Sequence, residues 1–265
     1  MSDRGFGWLR DPPDFRDYSY GPSTATLAAL PAVVDLRTWR SPQAKFATPK
    51  ILDQGQLGSC TVNCTNSMIQ YVERLHDDPD QDKLSRLWLY WYMREKMGTV
   101  EEDSGGYLRD ALDIAAKRGV PRETYWPYII EKFRQAPTAG TVSAQHHRVL
   151  EYRSVSDTSE RDMQACLAEG YPFVFGFAVY ESFWQIDTDG WWTGERGGID
   201  GYHAVACWGY DFRDTNPARQ HWIIRNSWGT GWGDGGYFYV PRAWLPLEAF
   251  DCWTVRRVTR DPVAI

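Results

Sequence analysis

The first half of the chain reads as helices. From Cys60 the apolar positions fall at Cys60, Cys64, Met68, Tyr71, Val72 and Leu75, the spacing of a helix with one buried stripe. Ser59 stands where an N-cap is preferred. A second helix fits "LSRLWLYWYMREKMG", with Gly98 as its stop, and a third fits "GGYLRDALDIAAKRG", closing at Gly119. The texture then changes. "YPFVFGFAVY", "HAVACWGYD", "HWIIRNSW" and "GYFYVP" are short apolar or alternating runs broken by Gly, Asp and Asn, and they read as strands. "LPAVVDLRTW" predicts an earlier strand near Val33 to Leu36, and residues 40–59 read as loop. Helices first and strands second predict an α+β protein of two lobes, with the change-over between residues 135 and 160.

Composition narrows the picture. The chain has 265 residues, 43% hydrophobic and 24% charged, with a net charge of −6, which suits a globular protein and argues against nucleic acid or an anionic membrane as partner. No apolar run approaches the ~20 residues of a membrane span. The first thirty residues contain no apolar stretch of the signal-peptide kind, which leaves localisation undetermined. The five cysteines, Cys60, Cys64, Cys166, Cys207 and Cys252, are odd in number. They do not resemble a disulfide framework, and they lack the paired spacing of a metal site, so no metal or organic cofactor is expected.

One stretch is chemically pointed. "DQGQLGSC" sets a glutamine, glycines and a serine ahead of Cys60 at a helix start. Free N–H groups and a partial positive charge gather there and favour a thiolate of lowered pKa. Such a nucleophile needs a base. Of five histidines, His76 sits in an acidic helix end, His146 and His147 in a polar stretch read as surface, and His221 beside Trp222 as structural. His203, where a glycine-rich loop enters a strand, is the candidate base. "RNSWGTGWGDGGYFYV" offers Asn226 to orient it, with Trp228 and Trp232 to cover the contact.

Taken together, "QGQLGSC", "SGG", "GVPRETYWPY", "GYHAVACWGYD" and "WIIRNSWGTGWGDGGYFYV" resemble, in order and separation, the papain family of cysteine peptidases. The resemblance implies that Cys60 is the nucleophile. Gln54 and the Cys60 N–H would form the oxyanion hole, His203 would exchange the proton, Asn226 would orient His203, and Trp228 would shield that bond. Gly105 and Gly106 would present bare backbone to an extended peptide. Tyr107, Leu108, Gly176, Gly201 and Ala204 would line the pocket next to the scissile residue, with room for a bulky apolar side chain. Leu57, Thr61 and Ser104 stand where the family usually has a cysteine, an aromatic and a cysteine. The disulfide of secreted and lysosomal relatives is therefore missing, which fits a bacterial or viral branch.

On this reading residues 31–265 form the peptidase, acting as a monomer on peptides or proteins. The helical lobe spans about 40–147, and the β-rich lobe about 148–258 plus 31–39. Residues 1–30, with "RDPPDFRDYSYGP", are short for a pro-region but suit an extended strap lying in the cleft and blocking it. No insertion closes one end of a cleft, which favours endopeptidase action. Two other classes use the same residues: a peptide-binding module without turnover, and a thiol amidase or transglutaminase.

Overall fold

The structure is a computed structural model, and it describes residues 4–38, 48–75, 83–142 and 145–262. His76 lies outside them. In chain order the elements are β1 (Trp8–Leu9), α1 (Thr24–Ala28), β2 (Val33–Asp35), α2 (Cys60–Leu75), α3 (Arg86–Met97), β3 (Gly106–Tyr107), α4 (Leu108–Lys117), β4 (Val120–Pro121), α5 (Ala139–Val142), β5 (Gln145–Ser154), α6 (Glu160–Ala168), β6 (Phe173–Tyr180), β7 (Ile199–Asp211), β8 (His221–Arg225), β9 (Tyr237–Pro241), α7 (Leu245–Glu248) and β10 (Phe250–Pro262).

The strands from β4 onward fold into one antiparallel sheet in the order β4-β5-β10-β6-β7-β8-β9, and β2 pairs with β7 at the C-terminal end of β7. With α2, α3 and α4 ahead of it, this is the two-lobed α+β architecture that the sequence predicts. The helix over "ERDMQACLA", α6, lies within the strand-rich half and was not foreseen. It is short, and Ser159 caps it by accepting the Asp162 N–H at 3.3 Å.

Helix α2 departs from the expected single stripe. Every residue from Cys60 to Arg74 is buried, because the helix packs against β7 and β10 on one side and α3 and α4 on the other. Several of its polar positions are hydrogen-bonded, as burial favours, although Thr65 Oγ1 and Asn66 Oδ1 find no partner among the described residues. Asn63 Nδ2 donates to Ser59 O at 2.9 Å, and Asn66 Nδ2 to Leu84 O at 3.3 Å. The Ser59 hydroxyl turns to the Tyr128 hydroxyl at 2.6 Å and receives Asn63 Nδ2 at 3.0 Å.

His146 and His147 are not on the surface. Both are buried, because β5 is flanked by β4 and β10 and covered by helices. His146 sets its two ring nitrogens against Arg118 O at 2.9 Å and Thr141 O at 2.7 Å. His147 Nδ1 lies 2.6 Å from Glu73 Oε1 of α2. All five cysteines are free and buried. Among the described residues no helix is long and apolar enough to cross a membrane, and no cluster of His, Cys, Asp and Glu could hold a metal.

Candidate active site

Cys60 opens α2, and its sulfur faces the backbone amides of Ala204 in β7 and of Gly7. Next to Ala204 on β7 is His203, fully buried. Its Nε2 lies 2.8 Å from Asn226 Oδ1, and the same oxygen accepts the Ser227 N–H at 2.8 Å. A backbone N–H can only donate, so the atom it meets is the amide oxygen. His203 Nε2 therefore carries the hydrogen, which leaves Nδ1 as the basic nitrogen. Nδ1 makes no hydrogen bond. Trp228 lies over the imidazole at 4.9 Å between ring centroids, stacks on Trp184 at 5.4 Å with 5° between planes, and meets Trp232 edge-on at 5.1 Å.

Gln54 comes to this site from the loop before α2. Its N–H donates to Ser227 O at 2.9 Å and its side-chain oxygen accepts Ser227 Oγ at 2.6 Å, so the glutamine is locked to the segment that carries Asn226. Its side-chain nitrogen donates to Leu57 O and to Gly5 O, both at 3.0 Å. The glycine-rich approach is held from behind. Both Asp103 oxygens accept the Gly58 N–H, at 3.0 and 2.9 Å, and Asp103 also takes the Tyr90 hydroxyl, which accepts the Gly105 N–H at 3.1 Å.

The N-terminal segment lies in this cleft. Trp8 and Leu9 pair in parallel with Gly106 and Tyr107, and Gly106 N donates to Gly7 O at 2.7 Å. The fit depends on missing side chains. A Cβ on Gly105 would lie 2.1 Å from Gly7 O, and one on Gly58 would lie 2.7 Å from Phe6 O. Trp8 fills a pocket against the bare backbone of Gly176, stacked on Phe250 and edge-on to Tyr202. Ala204 pairs with Gly176 at its base, and Leu108 is buried behind Tyr107 at the start of α4. Gly201 belongs to a different seat. It lies under the ring of Phe6, 2.4 Å from where its Cβ would be, and Phe6 also packs on His203 and Trp184.

This cover changes the electrostatics expected of Cys60. Burial pushes the Cys60 thiol up to about 11, and it pulls His203 down to about 4 against the opposing Asn226 hydrogen bond. The lowered thiol pKa anticipated from the helix start is therefore absent in this state, since desolvation outweighs the amide donors.

A family model described as "Papain family cysteine protease" matches residues 30–246. The chain belongs to the papain family of cysteine proteases. It is 31% identical to a peptidase C1-like protein of Acanthamoeba polyphaga mimivirus, over 98% of this chain and 89% of that protein. It is 29% identical to cysteine proteinase 3 of Entamoeba histolytica, over 82% of this chain and 65% of that one. Among solved structures, xylellain, a cysteine protease from Xylella fastidiosa, superposes with a TM-score of 0.84 at 33% identity, covering 97% of this chain and 98% of the other. This papain-family chain is thus a cysteine peptidase, of the bacterial or viral branch.

Several groups in the site of this papain-family peptidase were not singled out from sequence. Phe6, Trp8, Trp184, Ser227 and Asp103 act through partners distant in the chain, Phe6 on His203, Trp8 on Gly176, Trp184 on Trp228, Ser227 on Gln54 and Asp103 on Gly58, which leaves no local pattern to read. The one available signal was the pair of aromatics, Phe6 and Trp8, alternating with Gly5 and Gly7 in "GFGW".

Proposed function

We propose that this peptidase is an endopeptidase held inactive by its own N-terminal strap, residues 1–30, and that residues 31–265 are the catalytic unit. Its helical lobe runs over about 40–147, and its β-rich lobe over about 148–258 with 31–39. One chain supplies every group, so it acts as a monomer on peptides or proteins. Cys60 Sγ attacks the scissile carbonyl after His203 Nδ1 takes its proton. The oxyanion receives the Cys60 N–H and the Gln54 side-chain amide. His203, steadied by Asn226, gives the proton to the leaving amine. Water then hydrolyses the thioester by the same route. Trp228 and Trp232 keep water from the His203–Asn226 bond. A substrate adds a strand to Gly105–Gly106, with one side chain in the pocket of Tyr107, Leu108, Gly176 and Ala204.

The observation that carries this reading is the strap itself. Gly5 to Leu9 take the Gln54 donor, the β3 edge, the Gly176 pocket and the space over Cys60 all at once. Peptide chemistry of the strap fits the site at each point, and the dyad it buries is pushed toward the neutral pair. The test is hydrolysis of a fluorogenic peptide amide by the full chain and by its Phe6→Ala/Trp8→Ala and Cys60→Ala variants. The double variant should be faster by about tenfold or more, since the buried Trp8 ring and the partly buried Phe6 ring leave their seats, and Cys60→Ala should be silent. Equal rates for the full chain and the double variant would remove the autoinhibitory role. Activity in Cys60→Ala would remove the assigned nucleophile.

A further inference from the structure

Two separate segments must meet for a peptide to reach Cys60. The nucleophile opens α2 behind the glycine-rich approach, and the backbone edge of Gly105–Gly106 follows α3 and opens β3. All five cysteines are free, so no disulfide ties one segment to the other. Leu57 is buried in the core, and the Ser104 hydroxyl is turned to Thr99 Oγ1 at 2.7 Å. The tie is a chain of hydrogen bonds through Asp103. Its two oxygens lie 3.0 and 2.9 Å from the N of Gly58, two residues ahead of Cys60, and it also accepts the Tyr90 hydroxyl. That hydroxyl accepts the Gly105 N–H at 3.1 Å.

We propose that Asp103 is a positioning residue of this peptidase, a clasp that holds the Gly105–Gly106 edge in register with the backbone leading into Cys60. The proposal rests on the peptidase reading above. The direction of each hydrogen is fixed. A backbone N–H only donates and a carboxylate only accepts, so the single Tyr90 proton goes to Asp103 and leaves the phenol oxygen for Gly105. The carboxylate makes the clasp charge-assisted, and such bonds are stronger than neutral ones. Asp103 is exposed on its outer side, so water competes for it. The protein donors prevail because they are already in place. Tyr90 is fully buried, with the Arg94 guanidinium 4.2 Å over its ring. Arg94, itself buried, donates to Val100 O at 2.7 Å and to Glu102 O at 2.9 Å, which fastens to α3 the turn that delivers Asp103. Gly105 takes a φ of 70°, a left-handed conformation that glycine reaches without strain. On the other side the fit is close. A Cβ on Gly58 would lie 3.1 Å from Asp103 Oδ1, so a side chain there would press on the clasp.

Asp103 thus acts through Gly58 and Gly105 rather than on the reacting atoms. A misplacement of about 1 Å between the edge that holds a peptide and the group that attacks it costs on the order of 10²-fold in rate. A small reagent that reaches the sulfur without lying on the edge is indifferent to that register. The clasp therefore matters to peptides and not to the thiol itself.

The test takes the full-length Phe6→Ala/Trp8→Ala chain as parent and adds Asp103→Ala, Asp103→Asn or Tyr90→Phe. Hydrolysis of a fluorogenic peptide amide is set beside the rate at which iodoacetamide alkylates Cys60, read by peptide mass. Asp103→Ala should lower kcat/KM for the peptide at least about tenfold and leave the alkylation rate within about twofold. Asp103→Asn keeps one oxygen able to take both donors and should recover most of the loss. Tyr90→Phe keeps the ring but cuts the chain between Asp103 and Gly105, and should lower kcat/KM several-fold. An active parent whose Asp103→Ala variant hydrolyses the peptide equally fast overturns the clasp and leaves the peptidase reading standing. So does a variant that loses hydrolysis and alkylation in equal measure, which marks a general disturbance of the fold. A parent silent toward the peptide while Cys60 still alkylates overturns the two readings together.

Discussion

Trp8 lies directly on the bare backbone of Gly176, so that a Cβ there would sit 1.9 Å from the indole. On the proposed reading a substrate side chain would compete with the strap for that space, and the glycine would set what both can be. Gly176→Ala should reduce kcat/KM for a peptide with an aromatic residue at this position by about tenfold relative to one with alanine. It should also raise the basal rate of the full chain by unseating Trp8. A library profile of the variant unchanged from wild type would show that the pocket is not the substrate's.

The Gln54 amide is aimed by Ser227, whose Oγ donates to Gln54 Oε1 at 2.6 Å. Gln54→Ala in the Trp8→Ala background should lower kcat by about 10²–10³ with little change in KM, the usual loss for one oxyanion donor. Ser227→Ala removes only the aim. A neutral hydrogen bond contributes about 1 kcal/mol, so a loss of several-fold in kcat is expected. Steady-state kinetics of the two variants side by side separate the donor from its support.

Strap docking should weaken as pH rises. Asp11 is buried where the strap meets α4 and β10. Its carboxylate accepts the Trp253 indole N–H at 2.9 Å and the Arg109 N–H at 3.3 Å, and its own N–H donates to Asp251 at 2.7 Å. Burial and the Asp251 charge push Asp11 up to about 7, against the pull of Trp253 and Arg109, and burial raises Asp251 too. Asp17, Asp157 and Asp162 line the same cavity, and Arg10 is the further cation facing Asp251. A pKa raised by docking, from a usual carboxyl value of ~3.9, means that docking binds a proton. The contribution is full below the undocked value and is lost as pH climbs through about 7. The rate ratio of Trp8→Ala to full chain should therefore fall between about pH 5 and pH 8, and Asp11→Asn should hold it nearly level. A ratio that rises over that range would reverse the assignment.

His147 and Glu73 join β5 to the end of α2 inside the core, 2.6 Å apart and both buried. His147→Ala leaves the Glu73 carboxyl without that partner and opens a cavity, a loss of about 2–4 kcal/mol. The variant should show a lower urea midpoint with an unchanged slope. A midpoint equal to wild type would mean that the pair contributes nothing net.

Much of this molecule was legible in its residues alone. The spacing of α3, its stop at Gly98 in the left-handed region, the α4 pattern and the strand runs of the second half are local properties. Hydrophobic period and turn chemistry encode such properties directly. The residues Gln54, Cys60, His203 and Asn226 stood out because each sits in a stretch whose glycines and tryptophans have no purpose in a connector. What only the tertiary structure decided concerns environment. Cys60 at a helix start reads as an activated thiol, yet the strap removes its water, and desolvation reverses the shift. His146 and His147 read as surface because their neighbours in sequence are polar, and they are buried because β4, β10 and the helices close over them. Gly201 and Gly176 look alike on paper and lie under different rings, Phe6 and Trp8. Burial, dielectric and the partner of a ring are set by segments far away in the chain. No period or propensity reports them, so they appear only when the chain is folded.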